Sequence, residues 1–127
     1  MSYLLEADLV DDCRRAATAL QVVFEVAGQR VAKASGSSKG LPDAFLCVSG
    51  WHHPLELKRP ASKGAEAGRF SLDQLVAAER RRAQGVETYA PRALEQFVAL
   101  VNWSRRHRDG VCPGCPVVPE FAGSRCA

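Results

Sequence analysis

The chain contains no apolar run approaching the roughly 20 residues that a membrane-crossing helix requires. Its first residues, MSYLLEADLVDD, are acidic and lack the basic and apolar segments of an export signal. A disulfide framework is also missing. The five cysteines, Cys13, Cys47, Cys112, Cys115 and Cys126, are odd in number, and a chain without an export signal does not suggest a stapled fold. Charge of one sign is modest too: the net charge is +3, which is compatible with nucleic acid without identifying it as the partner. Disorder is disfavoured, because 46% of residues are hydrophobic and 24% charged, an ordinary globular balance. With 127 residues the chain is long enough for one domain with its own core. The expectation is a single cytoplasmic domain with no membrane contact.

Chemistry concentrates between Ser35 and Lys58, in SGSSKGLPDAFLCVSGWHHPLELK. Pro42-Asp43 opens an apolar run from Ala44 to Val48, and a second run, Leu55 to Lys58, follows a loop at Gly50. Side chains alternate along a strand, so Glu56 and Lys58 share one face while Leu55 and Leu57 share the other. If the two runs pair, Asp43 meets Glu56. Two adjacent carboxylates repel and raise each other's pKa unless a positive group lies between them. A divalent cation with oxygen ligands does this well, and a nearby ammonium can stabilise charge on a phosphate. The competing reading is a hairpin carrying an ordinary surface Glu and Lys.

Four segments, Ser35-Gly36, Gly40-Leu41-Pro42-Asp43, Glu56-Leu57-Lys58 and Arg69-Phe70-Ser71-Leu72-Asp73-Gln74, occur in an order that resembles the PD-(D/E)xK nuclease superfamily. Within it the chain is most similar to the stand-alone, phage-type VRR-NUC domains, relatives of archaeal Holliday-junction resolvases. The likeness covers roughly residues 3 to 106. The resemblance implies an α/β/α sandwich around a mixed central β-sheet, restriction-endonuclease-like. It implies a magnesium-dependent endonuclease, with manganese as substitute and no organic cofactor, acting on Holliday junctions or other branched DNA as a homodimer. The source would be a bacterial cell or its phage. Catalytic residues would be Asp43, Glu56, Lys58 and Gln74. Metal ligands would be Glu6, Asp43, Glu56 and the backbone carbonyl of Leu57. Ser35, Lys39, Lys63, Arg69, Arg80 and Arg81 would contact DNA. The alternative is a DNA-binding module with a nuclease-like core and no catalysis.

In chain order, Leu4 to Leu20 has helical spacing at Leu5, Leu9, Cys13, Ala16 and Leu20. Glu6 lies at the edge of that stripe, either as the family's first-helix ligand or as a first-turn Glu favoured by the helix dipole. Val22 to Val26 is β-branched and predicts a strand, with Glu25 as the rival third carboxylate. Trp51, His52 and His53 are expected in a solvated turn. Ser71 to Gln84 predicts a helix with a Ser71/Gln74 capping box and an apolar side including Leu72, ended by Gly85. Gln74 therefore has a capping role available beside the family's catalytic one. Val86 to Tyr89 predicts a short strand, and Pro91 opens a helix to about Arg106.

The organisation expected is a nuclease-like domain over 1–108 and an irregular Cys/Pro/Gly-rich tail over 109–127. In that tail Cys112-Pro-Gly-Cys115, with His107 and Cys126, is half of a four-ligand zinc pattern. The alternative is a loop with free thiols.

Overall fold

A computed structural model describes residues 6–27, 41–58 and 69–120. Ser35, Lys39, Lys63 and Cys126 lie outside them, and of Glu6 only the backbone is described. In order, the elements are α1 (Glu6–Leu20), β1 (Val23–Val26), β2 (Ala44–Val48), β3 (Trp51–Leu55), α2 (Leu72–Ala83) and α3 (Leu94–Arg106). This is a small α/β protein.

The sheet differs from the mixed one expected. Its three described strands run in the order β1-β2-β3 and pair antiparallel. Among the described residues, parallel pairing enters as a single bridge, Leu55 to Tyr89, where Tyr89 N–H donates to Pro54 O and Glu56 N–H donates to Tyr89 O. Tyr89 in turn bridges antiparallel to Val117. The strand expected at 86–89 is thus reduced to one residue. The turn chemistry explains why β3 begins early. Ser49 (φ 50°) and Gly50 (φ 90°) form a two-residue turn with both φ positive, the geometry that matches strand twist. Pairing therefore resumes at once, Val48 opposite Trp51. Trp51, His52 and His53 belong to the strand, not to a solvated turn.

Register places Phe24, Leu46 and His53 across one another on one face, with Ala44, Val48 and Leu55 beside them. This face meets α1 and α3. Leu9, Cys13 and Ala17 of α1, spaced four apart, are fully or nearly fully buried. Phe97 of α3 meets Phe24 edge-on, with ring centroids 5.5 Å apart. Trp103 lies 5.3 Å from Trp51. Within this core His53 Nε2 and Ser104 Oγ are 2.8 Å apart. Burial first, then the nearby His52, lowers the His53 pKa to about 4, so the ring is neutral at pH 7.

The segment after α3 packs into the same core. Cys112 and Cys115 are buried in it, and Val118 joins Ala78 and Ala90 in a second cluster. Arg82 fastens this segment to α2, bonding Glu79, Glu87 (2.7 Å) and the Val118 carbonyl (2.6 Å). Leu72, expected on the apolar side of α2, is instead 60% exposed. No described helix is long and apolar enough to cross a membrane.

The Tyr89 hydroxyl accepts the Cys112 backbone N–H at 2.9 Å in a buried setting. Tyr89→Phe strands that donor and should destabilise the fold by about 1–3 kcal/mol in urea unfolding. A change under about 0.3 kcal/mol would show that water reaches Cys112 instead.

Candidate functional site

Asp43 and Glu56 are brought together by the hairpin register. Ala44 pairs with Leu55, so the next residue on each side, Asp43 and Glu56, flank the same end of the ladder. Asp43 is fixed at both its backbone and its side chain: its carbonyl accepts the Ala27 N–H at 2.9 Å, and its Oδ2 accepts the Leu57 N–H at 2.9 Å. Glu56 is fully buried. Leu55 and Leu57 fill the core on the opposite face, as strict alternation requires.

Gln74 joins this pair from α2. Its Nε2 donates to Glu56 Oε2 at 2.8 Å, and its Oε1 accepts the Ser71 N–H at 2.9 Å. Its own backbone N–H donates to Ser71 Oγ at 3.2 Å, completing the capping box. The capping role of Gln74 is therefore realised, and the same arrangement brings its amide to Glu56. The cap locks the side chain, and the locked amide presents its N–H to Glu56.

The second Glu56 oxygen, Oε1, is enclosed and receives no N–H or O–H donor. The Asp43 carboxyl is nevertheless close enough to raise the Glu56 pKa. Two carboxylates are both acceptors, so they bond only if a proton is held between them. Burial first, and the Asp43 charge second, push the Glu56 pKa up to about 8, with Lys58 and Arg81 pulling it down. A proton or a metal cation can satisfy the same enclosed oxygen, which makes the donor set suitable for a hard divalent ion.

The cations around the pair are arranged unequally. The Lys58 ammonium lies 5.8 Å from the Phe70 ring centre, and the Arg92 guanidinium 5.4 Å. Arg69 and Arg80 are exposed. Arg81 turns inward: Gln74, Ala78 and Arg81 fall at i, i+4 and i+7, one stripe of α2. Fully buried Ala78 keeps that stripe close to the core. Arg81 Nη1 donates to the hydroxyl of buried Thr88 at 3.2 Å, and its charge acts on Glu56. The triple arginine therefore divides: Arg80 faces solvent, Arg81 faces the carboxylates, and Arg82 holds the C-terminal segment.

Glu25 is exposed on the edge strand β1 opposite Phe45, on the same sheet face as Asp43, and its charge acts on Cys47. Among the described residues no group of three or more His, Cys, Asp or Glu gathers around an ion position. Of the expected zinc ligands, Cys126 lies outside the described residues, and Cys112 and Cys115 are free thiols. The His107 ring stacks on Trp103 with Nδ1 2.9 Å from the Trp103 carbonyl oxygen. Cys112 and Cys115 are buried, and burial first pushes the Cys115 thiol up. Sequence reasoning missed the inward turn of Arg81 and the His53–Ser104 pair. The i, i+4, i+7 spacing from Gln74 was a signal for the first, whereas the second depends on a contact 51 positions apart.

Comparison with protein families, with curated proteins and with solved structures yields no match.

The raised Glu56 pKa carries a sign. Between the ordinary carboxyl value and about 8, the folded state holds a proton that the unfolded chain has lost. Metal-free stability should therefore decline as pH rises from about 5 to 8, by up to about 1.4 kcal/mol per pH unit. Glu56→Gln should flatten this slope. Urea titrations in EDTA across that range provide the measurement, and an identical slope in wild type and variant would refute the assignment.

Proposed function

We propose that the Asp43–Glu56 pair is the centre of a divalent-cation-dependent nuclease that hydrolyses DNA phosphodiester bonds. The observation that carries the reading is the enclosed, unpaired Glu56 oxygen beside a second carboxyl. Burying one carboxylate beside another is costly unless a counter-charge meets it. The resemblance to PD-(D/E)xK and VRR-NUC domains supplies the reaction class, and the restriction-endonuclease-like arrangement around the site belongs to the same proposal. Branched DNA, including Holliday junctions, is the preferred substrate, and a homodimer is the form that cuts two strands.

Asp43, Glu56 and the Leu57 carbonyl would hold magnesium or manganese, with Glu6 as the remaining family ligand. When bound, the ion supplies Lewis-acid polarisation of the phosphodiester and a more acidic water. The residues of the chain do the rest. The Leu57 N–H and the Ala27 N–H hold Asp43 in place, and Gln74 holds Glu56 through Oε2, leaving Oε1 for the ion. Lys58 places a positive charge beside Glu56, where it stabilises charge developing on the phosphate or orients the attacking water. Arg69, exposed just before α2, and Arg80, exposed in its last turn, would contact backbone phosphates, which positions DNA without reading sequence. Arg81 braces the carboxylates from within rather than reaching the duplex.

Asp43→Asn and Lys58→Ala should each reduce nicking of branched DNA by about 100-fold or more. Magnesium titration by calorimetry should show heat that Asp43→Asn abolishes. Equal cutting by wild type and both variants would remove the nuclease reading. DNA binding without carboxylate-dependent magnesium heat would favour a non-catalytic binding module.

A further inference from the structure

The sheet has a second polar end, opposite the carboxylates. There the β2–β3 turn, the end of α1 and the end of α3 meet. Continuing the β1–β2 register puts Gln21 opposite Ser49, and both residues have positive φ (58° and 50°). Two arginines from the end of α3 are anchored on these two loops. Arg105 Nη2 donates to the Leu20 carbonyl, and Arg108 Nη1 donates to the Ser49 carbonyl at 3.3 Å. The chain between them is held as well: Trp51 Nε1 donates to the His107 carbonyl at 2.8 Å, and the His107 ring stacks on Trp103 at 4.8 Å. Arg105, Arg106, His107 and Arg108 are all exposed.

Anchoring of this kind uses one edge of each guanidinium and leaves its other N–H groups facing water. A carbonyl is neutral, so the bond orients the cation without cancelling its charge. Among the described residues no carboxylate pairs with Arg105, Arg106 or Arg108, and Asp109 is the acidic neighbour in sequence. A helix C-terminus alone would account for one or two cations near α3. It does not account for two arginines reaching away from the helix to carbonyls of two other segments.

The geometry points to a preorganised site for nucleic-acid backbone phosphates at this end of the sheet, formed by Arg105, Arg106 and Arg108 over the Leu20 and Ser49 loops. Planar, oriented guanidinium groups suit phosphate oxygens. Six residues separate Asp43 from Ser49 along extended chain, so the two sites lie about 20 Å apart. At about 3.4 Å per phosphate along a strand, that span is about six nucleotides. Resting on the nuclease reading, the site would hold the duplex arm flanking the cut and set the length of arm that a substrate requires.

The test is the triple variant Arg105→Gln, Arg106→Gln, Arg108→Gln. Glutamine amides still donate to the Leu20 and Ser49 carbonyls, and thermal unfolding should confirm an intact fold. Binding to a 20-base-pair duplex is measured in EDTA against salt concentration. Affinity should fall about tenfold or more, and the magnitude of the log–log salt slope should shrink by about two to three. An unchanged affinity and slope would overturn the proposal, as would absence of duplex binding by the wild type. Equal loss of binding to anionic lipid vesicles, with DNA binding retained, would also overturn it by assigning the surface to membranes. Because this assay needs neither metal nor cleavage, it separates from the nuclease reading: magnesium heat lost in Asp43→Asn with an unchanged salt slope sinks the phosphate site alone. A reduced slope with no magnesium heat sinks the nuclease reading alone.

Discussion

A carboxylate that is fully buried beside another carboxylate is the constraint on which the rest of this molecule turns. Isolation of one such charge from water costs several kcal/mol, and a like charge adds to that. The fold answers with fixed partners. Gln74 takes one Glu56 oxygen, the Leu57 N–H takes one Asp43 oxygen, and Lys58 and Arg81 provide positive potential. What remains is one enclosed oxygen with no donor. That unmet acceptor can take a proton, and on the proposed reading it takes a divalent cation.

The architecture serves that arrangement through register. The Ser49-Gly50 turn fixes Val48 against Trp51, and five positions further along the register brings Asp43 and Glu56 to the same end. A slip of one residue would turn Glu56 toward Leu9 and Phe97 and expose Leu55 and Leu57. The Tyr89 bridge supports the far edge of β3 by taking the Glu56 N–H. Tyr89 is itself held by Cys112, so the C-terminal segment stabilises the site although it contributes no ligand. The same turn also places the Ser49 carbonyl under Arg108, linking the two polar ends of the sheet to one hairpin.

Much of this was legible in the sequence because it depends on local pattern. Alternation across Leu55-Glu56-Leu57-Lys58 assigned faces, the Ser71-x-x-Gln74 spacing identified the cap, and the apolar stripe at Leu9 and Cys13 found α1's buried side. The illegible parts depend on contacts distant in the chain. His52 and His53 suggested a solvated turn because nothing local shows that Ser104 will receive one of them. The tail looked irregular because Cys112 and Val118 are ordered by Tyr89 and Arg82, not by periodicity of their own. The mixed sheet was expected from the order of elements, but among the described residues the stretch 86–89 forms no strand, and its pairing is limited to two bridges at Tyr89, one parallel to Leu55 and one antiparallel to Val117. Arg81 looked like a surface cation because three consecutive arginines mask the single stripe that faces inward.

The most direct test of the shared-cation claim is diffraction from crystals soaked in manganese, with anomalous differences locating the ion. The account predicts a peak touching oxygens of both Asp43 and Glu56, at the distance of about 2.0–2.2 Å expected for a small hard cation. A map with no peak there, or a peak elsewhere while the two carboxyls remain in mutual contact, would contradict it.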